Sequence, residues 1–168
     1  MSAALGGVSI TTDAVIAVAQ GLLDEVMVAL ESTVGGVPEL GYLHPGELAV
    51  DYLYASGCES ASVRITAVTP ETDPRASWTV SGWRVTCEVK VTRCYGDAAD
   101  PAVNPTAETL TRLTRLQQDD ADAVRRAVCA LPTRPRHEVG VWVPRGAQGG
   151  VFSGLTTVTF SGVDASCC

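Results

Sequence analysis

Three parts of the chain hold side chains that could do chemistry. Asp119-Asp120-Ala-Asp122 gathers carboxylates of the kind that hold a divalent cation. His137 beside Glu138 offers an imidazole and a carboxylate for acid–base work. Six cysteines, Cys58, Cys87, Cys94, Cys129, Cys167 and Cys168, offer thiols for metal binding, disulfides or attack on a substrate. Each set reads more simply. On a helix, positions 119, 120 and 122 point in different directions, and Arg125 and Arg126 follow at ion-pairing offsets, so the acids read as a solvated face. His137 follows Arg134-Pro-Arg136 and reads as a solvated loop entry.

The cysteines form no CxxC pair, and His44 lies far in sequence from His137, so no zinc spacing exists. Cys87 and Cys129 fall in apolar phase, where a free thiol acts as a small hydrophobe. No signal peptide precedes them, which predicts reduced, structural thiols. Cys167-Cys168 lacks the polybasic lead of a lipidated tail. The run Gly146-Ala-Gln-Gly149-Gly150 lacks the lysine of a phosphate-binding loop, and no HExxH, GxSxG or DxDxDG occurs. Trp78, Trp83 and Trp142 are too dispersed for a base-stacking platform and are expected in the core or at an interface. The residues alone predict no catalytic residue, no metal and no cofactor.

Charge narrows the partners. The chain has 168 residues and a formal net charge of −7, with a pI near 4.7 and a mean hydropathy of +0.17. A protein so acidic lacks the counterion-releasing surface of a general nucleic-acid binder. The acids are unevenly placed. Residues 1–60 hold Asp13, Asp24, Glu25, Glu31, Glu39, Glu47, Asp51 and Glu59 and no Lys or Arg, whereas the remainder holds twelve basic and eleven acidic residues. Such asymmetry reads first as a solvated acidic face; the sharper readings are electrostatic matching between copies, or a surface that keeps nucleic acid from sticking. No run is long enough to span a membrane: the apolar stretch from Ala14 to Leu23 ends at Asp24-Glu25. One domain over residues 1–168 is expected, with its core at about 11–163 and flexible ends.

The elements that must position these residues follow from periodicity. Ile16, Ala19, Leu23, Val26, Met27 and Leu30 recur at helical spacing, which predicts a helix over Thr12–Ser32 stopped by Gly35-Gly36. Val37–Gly46 reads as a loop. Alternation predicts strands over Leu48–Tyr54, Val63–Ala67, Trp83–Thr92 and Leu155–Phe160, with Val139, Val141 and Val143 forming a short one. Thr69–Ser77, Gly96–Pro105 and Pro144–Gly150 read as connectors. Thr106 should cap a second helix with Leu110, Leu113, Leu116, Val124, Val128 and Leu131 on its apolar side, ended by Pro132. The predicted class is α+β: a mostly antiparallel sheet packed with two helices.

This order of elements resembles a family. The N-terminal amphipathic helix, the Gly46–Tyr52 strand, the Trp83–Cys94 strand, the helix with its acid and arginine block, and the closing Gly154–Phe160 strand are similar to the tail terminators of long-tailed phages of high-GC actinobacteria. The resemblance runs from about Thr11 to Val163. It implies a virion protein, made in the host cytoplasm, that forms a homo-oligomeric ring of usually six copies at the head–tail junction. Such a ring caps the tail tube, docks it to the head connector or stopper protein, and lets DNA pass through its channel without specific binding. A closed ring needs two different complementary faces on each subunit. Arg84, Glu88 and Lys90 on the strand and Arg112, Arg115, Arg125 and Arg126 on the helix are the candidate subunit interface, facing a neighbour's acidic segment; the plainer reading is pairing within the chain or solvation. The alternatives are another neck or tail-tube component and, from a different class, a small-molecule-binding or enzymatic α+β domain.

Overall fold

The computed structural model describes residues 10–45, 59–72, 80–95, 106–148 and 150–163. In chain order these form α1 (Ile10–Leu30), β1 (Leu40–Leu43), β2 (Ser60–Thr72), β3 (Val80–Cys94), α2 (Ala107–Ala130), β4 (Arg136–Val139), β5 (Val143–Gln148) and β6 (Val151–Val163). The sheet order is β1-β2-β3-β6-β4, with β5 also on β6. Among the described residues, the β1–β2 pair is parallel and the others are antiparallel. The α+β class read from the sequence is the architecture observed. None of the helices described is long and apolar enough to cross a membrane.

The strict alternation of β3 makes it the central strand. Val85, Cys87, Val89 and Val91 face the core, aligned with Phe160, Val158, Thr156 and Gly154 of β6. Both helices cover this face. Val15, Ala19, Leu22, Leu23, Val26 and Leu30 of α1 join Ala123, Val124, Ala127 and Val128 of α2 in one apolar cluster with the strands. Each large side chain buried there contributes about 1.5–3 kcal/mol, so this layer holds the fold together. The other face is polar, with Thr86, Glu88 and Lys90 beside Thr159, Thr157 and Leu155.

Thr106 caps α2 as predicted, its hydroxyl accepting from the Thr109 N–H at 3.2 Å, and Glu108 sits in the first turn. Several expectations are corrected. Ile16 and Leu110 are 45% and 47% exposed rather than in the core. α1 is apolar around most of its circumference, so periodicity alone does not select its buried side. β1 forms inside the expected loop Val37–Gly46, because its backbone finds a partner in β2. β2 extends into the stretch expected to connect it to β3, and β3 begins at Val80, three residues before the expected Trp83. Cys94 is disulfide-bonded, against the expectation of reduced thiols, while Cys87 and Cys129 are free. The expected strand Leu48–Tyr54, the connector Gly96–Pro105 and Trp78 lie outside the described residues.

The valine run near residue 140 is not one strand but an interrupted edge. β4 pairs with β6 up to Val139↔Val158, and β5 resumes at Val143↔Leu155, so three residues oppose two. This is a bulge. The Gly140 N–H donates to the Thr157 carbonyl at 2.7 Å, and the Thr156 hydroxyl donates to the Gly140 carbonyl at 3.0 Å. The bulge turns Trp142 onto the core face, where its indole lies over Gly154. A Cβ at position 154 would collide with the Trp142 ring.

Gly154→Ala is therefore expected to displace Trp142 and cost about 1–3 kcal/mol. A lower urea midpoint with red-shifted tryptophan emission is the expected result. Burial also pushes the Cys87 thiol up to about 12. Mass-spectrometric mapping after alkylation at pH 8 should find Cys129 modified and Cys87 protected until unfolding. Between pH 9 and about 12 the unfolded thiol releases its proton while the folded one retains it. The contribution of Cys87 to stability is thus full below pH 9 and is lost as pH rises through that window.

Candidate functional site

The densest set of polar contacts among the described residues is buried and centred on Arg93. β3 brings this residue to the core face, one alternation beyond Val91, and leaves it 2% exposed. Its Nε donates to Asp120 Oδ2 at 3.2 Å and its Nη2 to Asp120 Oδ1 at 2.7 Å, a bidentate pair. Nη1 reaches the Gly35 carbonyl at 3.1 Å and Glu59 at 3.4 Å, and Nη2 also reaches the Gly36 carbonyl at 2.8 Å. The turn after α1 wraps the guanidinium closely. Gly36 has φ +68°, and a Cβ on Gly35 would stand 2.9 Å from Arg93 Cζ. A second carboxylate holds the same turn, Asp119 accepting from the Val34 N–H at 2.7 Å, and Arg126 donates to the Ser32 hydroxyl at 3.1 Å.

Burial raises the Asp120 carboxyl above the ordinary carboxylate range, and the hydrogen bond and charge of Arg93 pull against that rise. Burial works to lower the Arg93 guanidinium, but Asp120 and then Glu59 outweigh it and hold it above its usual value. The guanidinium donors are directed at Asp120, Glu59 and the glycine carbonyls, so this cluster is a junction between β3, α2 and the α1 turn rather than a binding site. The carboxylate run read as solvated is therefore corrected: Asp120 is buried, Asp119 is tied to Val34, and Asp122 pairs with Arg125 at 3.0 Å. Among the described residues, no three His, Cys, Asp or Glu side chains gather to hold a metal.

A signal for the junction was present in the sequence. Arg93 continues the apolar phase of Val85, Cys87, Val89 and Val91, and Asp120 sits in the helical stripe of Leu113, Val124 and Ala127. Two opposite charges in apolar phase mark a buried pair.

The surface candidates are spread over several places. Glu88 forms a cross-strand pair with Arg64 on the polar face at 2.8 Å. Arg84 pairs with Glu71 at 3.1 Å, and Glu71 also accepts from the Gly162 N–H at 2.8 Å. Both arginines Arg84 and Arg136 line an open groove of about 490 Å³ at the ends of β2 and β3. Arg112 and Arg115 line a separate groove of about 590 Å³ with Glu108, Thr109 and Thr111 on α2. Lys90 is half-buried on the polar sheet face. Lys90, Arg112 and Arg115 have no ion-pair partner among the described residues, whereas Arg84, Glu88 and Arg125 are engaged within the chain. His137 lies on β4 rather than in a loop, half-buried with its ring 6.1 Å from Phe160. Trp83 and Trp142 pack at the core margin.

The chain matches no protein-family model and no curated protein.

Removing one partner of a buried, hydrogen-bonded ion pair leaves the other charge uncompensated. Asp120→Ala should therefore cost about 3–5 kcal/mol in urea unfolding. The Arg93→Met/Asp120→Leu double variant should lose much less than the sum of its single changes, the expected sign of direct coupling.

Proposed function

We propose that this chain is a virion structural subunit of the tail-terminator kind, which assembles with its own copies into a ring at the head–tail junction. The observation that carries this reading is the separation of charge on one subunit. Asp24, Glu31 and Glu39 are exposed on α1 and the segment after it. Arg112, Arg115, Arg134, Arg136 and Arg145 are exposed on α2, β4, β5 and the connection before β4, where they outnumber the exposed Glu108 and Glu138. Unlike, complementary surfaces on one subunit are what a heterologous contact requires, and such contacts generate rings where the rotation closes.

The mechanism is geometric. A ring seated on the last tube ring blocks further addition and offers a new surface to the head connector or stopper protein. No bond is made or broken. The part of the acidic surface that does not meet a neighbour, Asp24 among it, faces the channel, where like charge keeps passing DNA from binding. Lys90, Arg112 and Arg115 keep their charge free of intrachain pairing and are the sequence-derived candidates best suited to meet another subunit. Exposed pairs contribute only ~0–1 kcal/mol each, so apolar anchors must supply most of the affinity.

Electron microscopy of the protein with and without purified tail tubes tests the reading. Rings confined to tube ends are the expected result. Protein repeated along the tube would make the chain a tube component, and monomers that ignore tubes would overturn the assembly reading.

A further inference from the structure

The sheet ends in two apolar edges of opposite charge. β1 and β4 are the first and last strands of the sheet order. At the first edge, Val34, Val37 and Leu40 are 87%, 42% and 39% exposed. At the last, Val139, Val141 and Val143 are 44%, 81% and 41% exposed. Scattered surface valines need no explanation, but here one group lies along β4 and β5 and the other in the segment that runs from the α1 turn into β1. Their charged neighbours differ in sign. Glu31 and Glu39 flank the first group in a segment without any basic residue, and both are exposed. Arg136 and Arg145 flank the second, also exposed, and outnumber the exposed Glu138 between them, so this edge is net basic. None of these five has an ion-pair partner among the described residues.

We infer that the β4–β5 edge of one copy docks onto the Val34–Leu40 segment of the next copy. The valines bury one another, and Arg136 and Arg145 meet Glu31 and Glu39. The occupant is a second copy because one chain carries both halves of the match, in apolar character and in charge. Contact is made through side chains and not by extending the sheet. Pro144 lacks a backbone donor, and the register breaks after Val139 and after Arg145 interrupt the ladder on that edge. The bulge has a purpose in this contact: it buries Trp142 on the core and turns Val141 outward at the edge. This inference rests on the ring reading and specifies its interface.

Charge reversal tests it, because every residue involved is exposed and folding should survive. One variant carries Arg136→Glu and Arg145→Glu; the other carries Glu31→Arg and Glu39→Arg. Each alone juxtaposes like charges and should need about 10–100-fold more protein to assemble, as read by analytical ultracentrifugation with tail tubes and microscopy as a second readout. Circular dichroism confirms that each variant is folded. An equal mixture of the two should restore assembly, because alternating copies again place opposite charges together, and a ring of even copy number can close that way. Assembly of either variant alone at the wild-type concentration would overturn this contact and leave the ring reading standing. Failure of the mixture to assemble would also overturn it. A wild-type chain that stays monomeric with and without tubes would remove the ring reading and the contact with it.

Discussion

A guanidinium set between helices and sheet with 2% of its surface exposed must find partners for its donors, or the fold is lost. Arg93 meets this demand by drawing in three separate parts of the chain. Asp120 comes from the middle of α2, the Gly35 and Gly36 carbonyls from the turn that ends α1, and Glu59 from the residue just before β2. The relative placement of the two helices on the sheet is thus tied to one side chain of the central strand. Apolar burial supplies most of the stability, but it is non-directional. The bidentate geometry selects one arrangement of the helices among those that would bury similar area.

The same constraint explains the glycine pair after α1. A side chain at position 35 would press on the guanidinium, and Gly36 adopts a left-handed conformation that other residues seldom take. The turn is shaped to present carbonyls to Arg93, with Asp119 and Arg126 fixing its outer side. Acids and bases that look like surface features in the linear sequence are in this way divided into two populations. Glu59, Asp119 and Asp120 serve the interior junction, while Asp24, Glu31 and Glu39 remain outside.

That division bears on assembly. With the helices covering one face, the interrupted β4–β5 edge and the segment before β1 are left as outward-facing ends of the layer. In the proposed ring, contact between such units would rest on shape, apolar surface and charge sign. The bulge at 140–142 joins the two levels, since it both plugs the core with Trp142 and shapes the outer edge.

Much of this was legible in the sequence. The five-by-five alternation of Trp83–Thr92 fixes a half-buried strand, Thr106 and Pro132 bound α2, and the acid-only first sixty residues establish the charge asymmetry. These are local or compositional facts, and a short window suffices to read them. Tertiary structure alone decided which side of the apolar α1 is buried, because a helix apolar around its circumference satisfies several packings. It also decided that β1 and β5 are strands, since short segments pair only when a neighbouring strand is already in place. The joining of Arg93 to Asp120 lies between these cases. Each charge sits in apolar phase in its own element, but only packing across 27 residues of sequence brings them together.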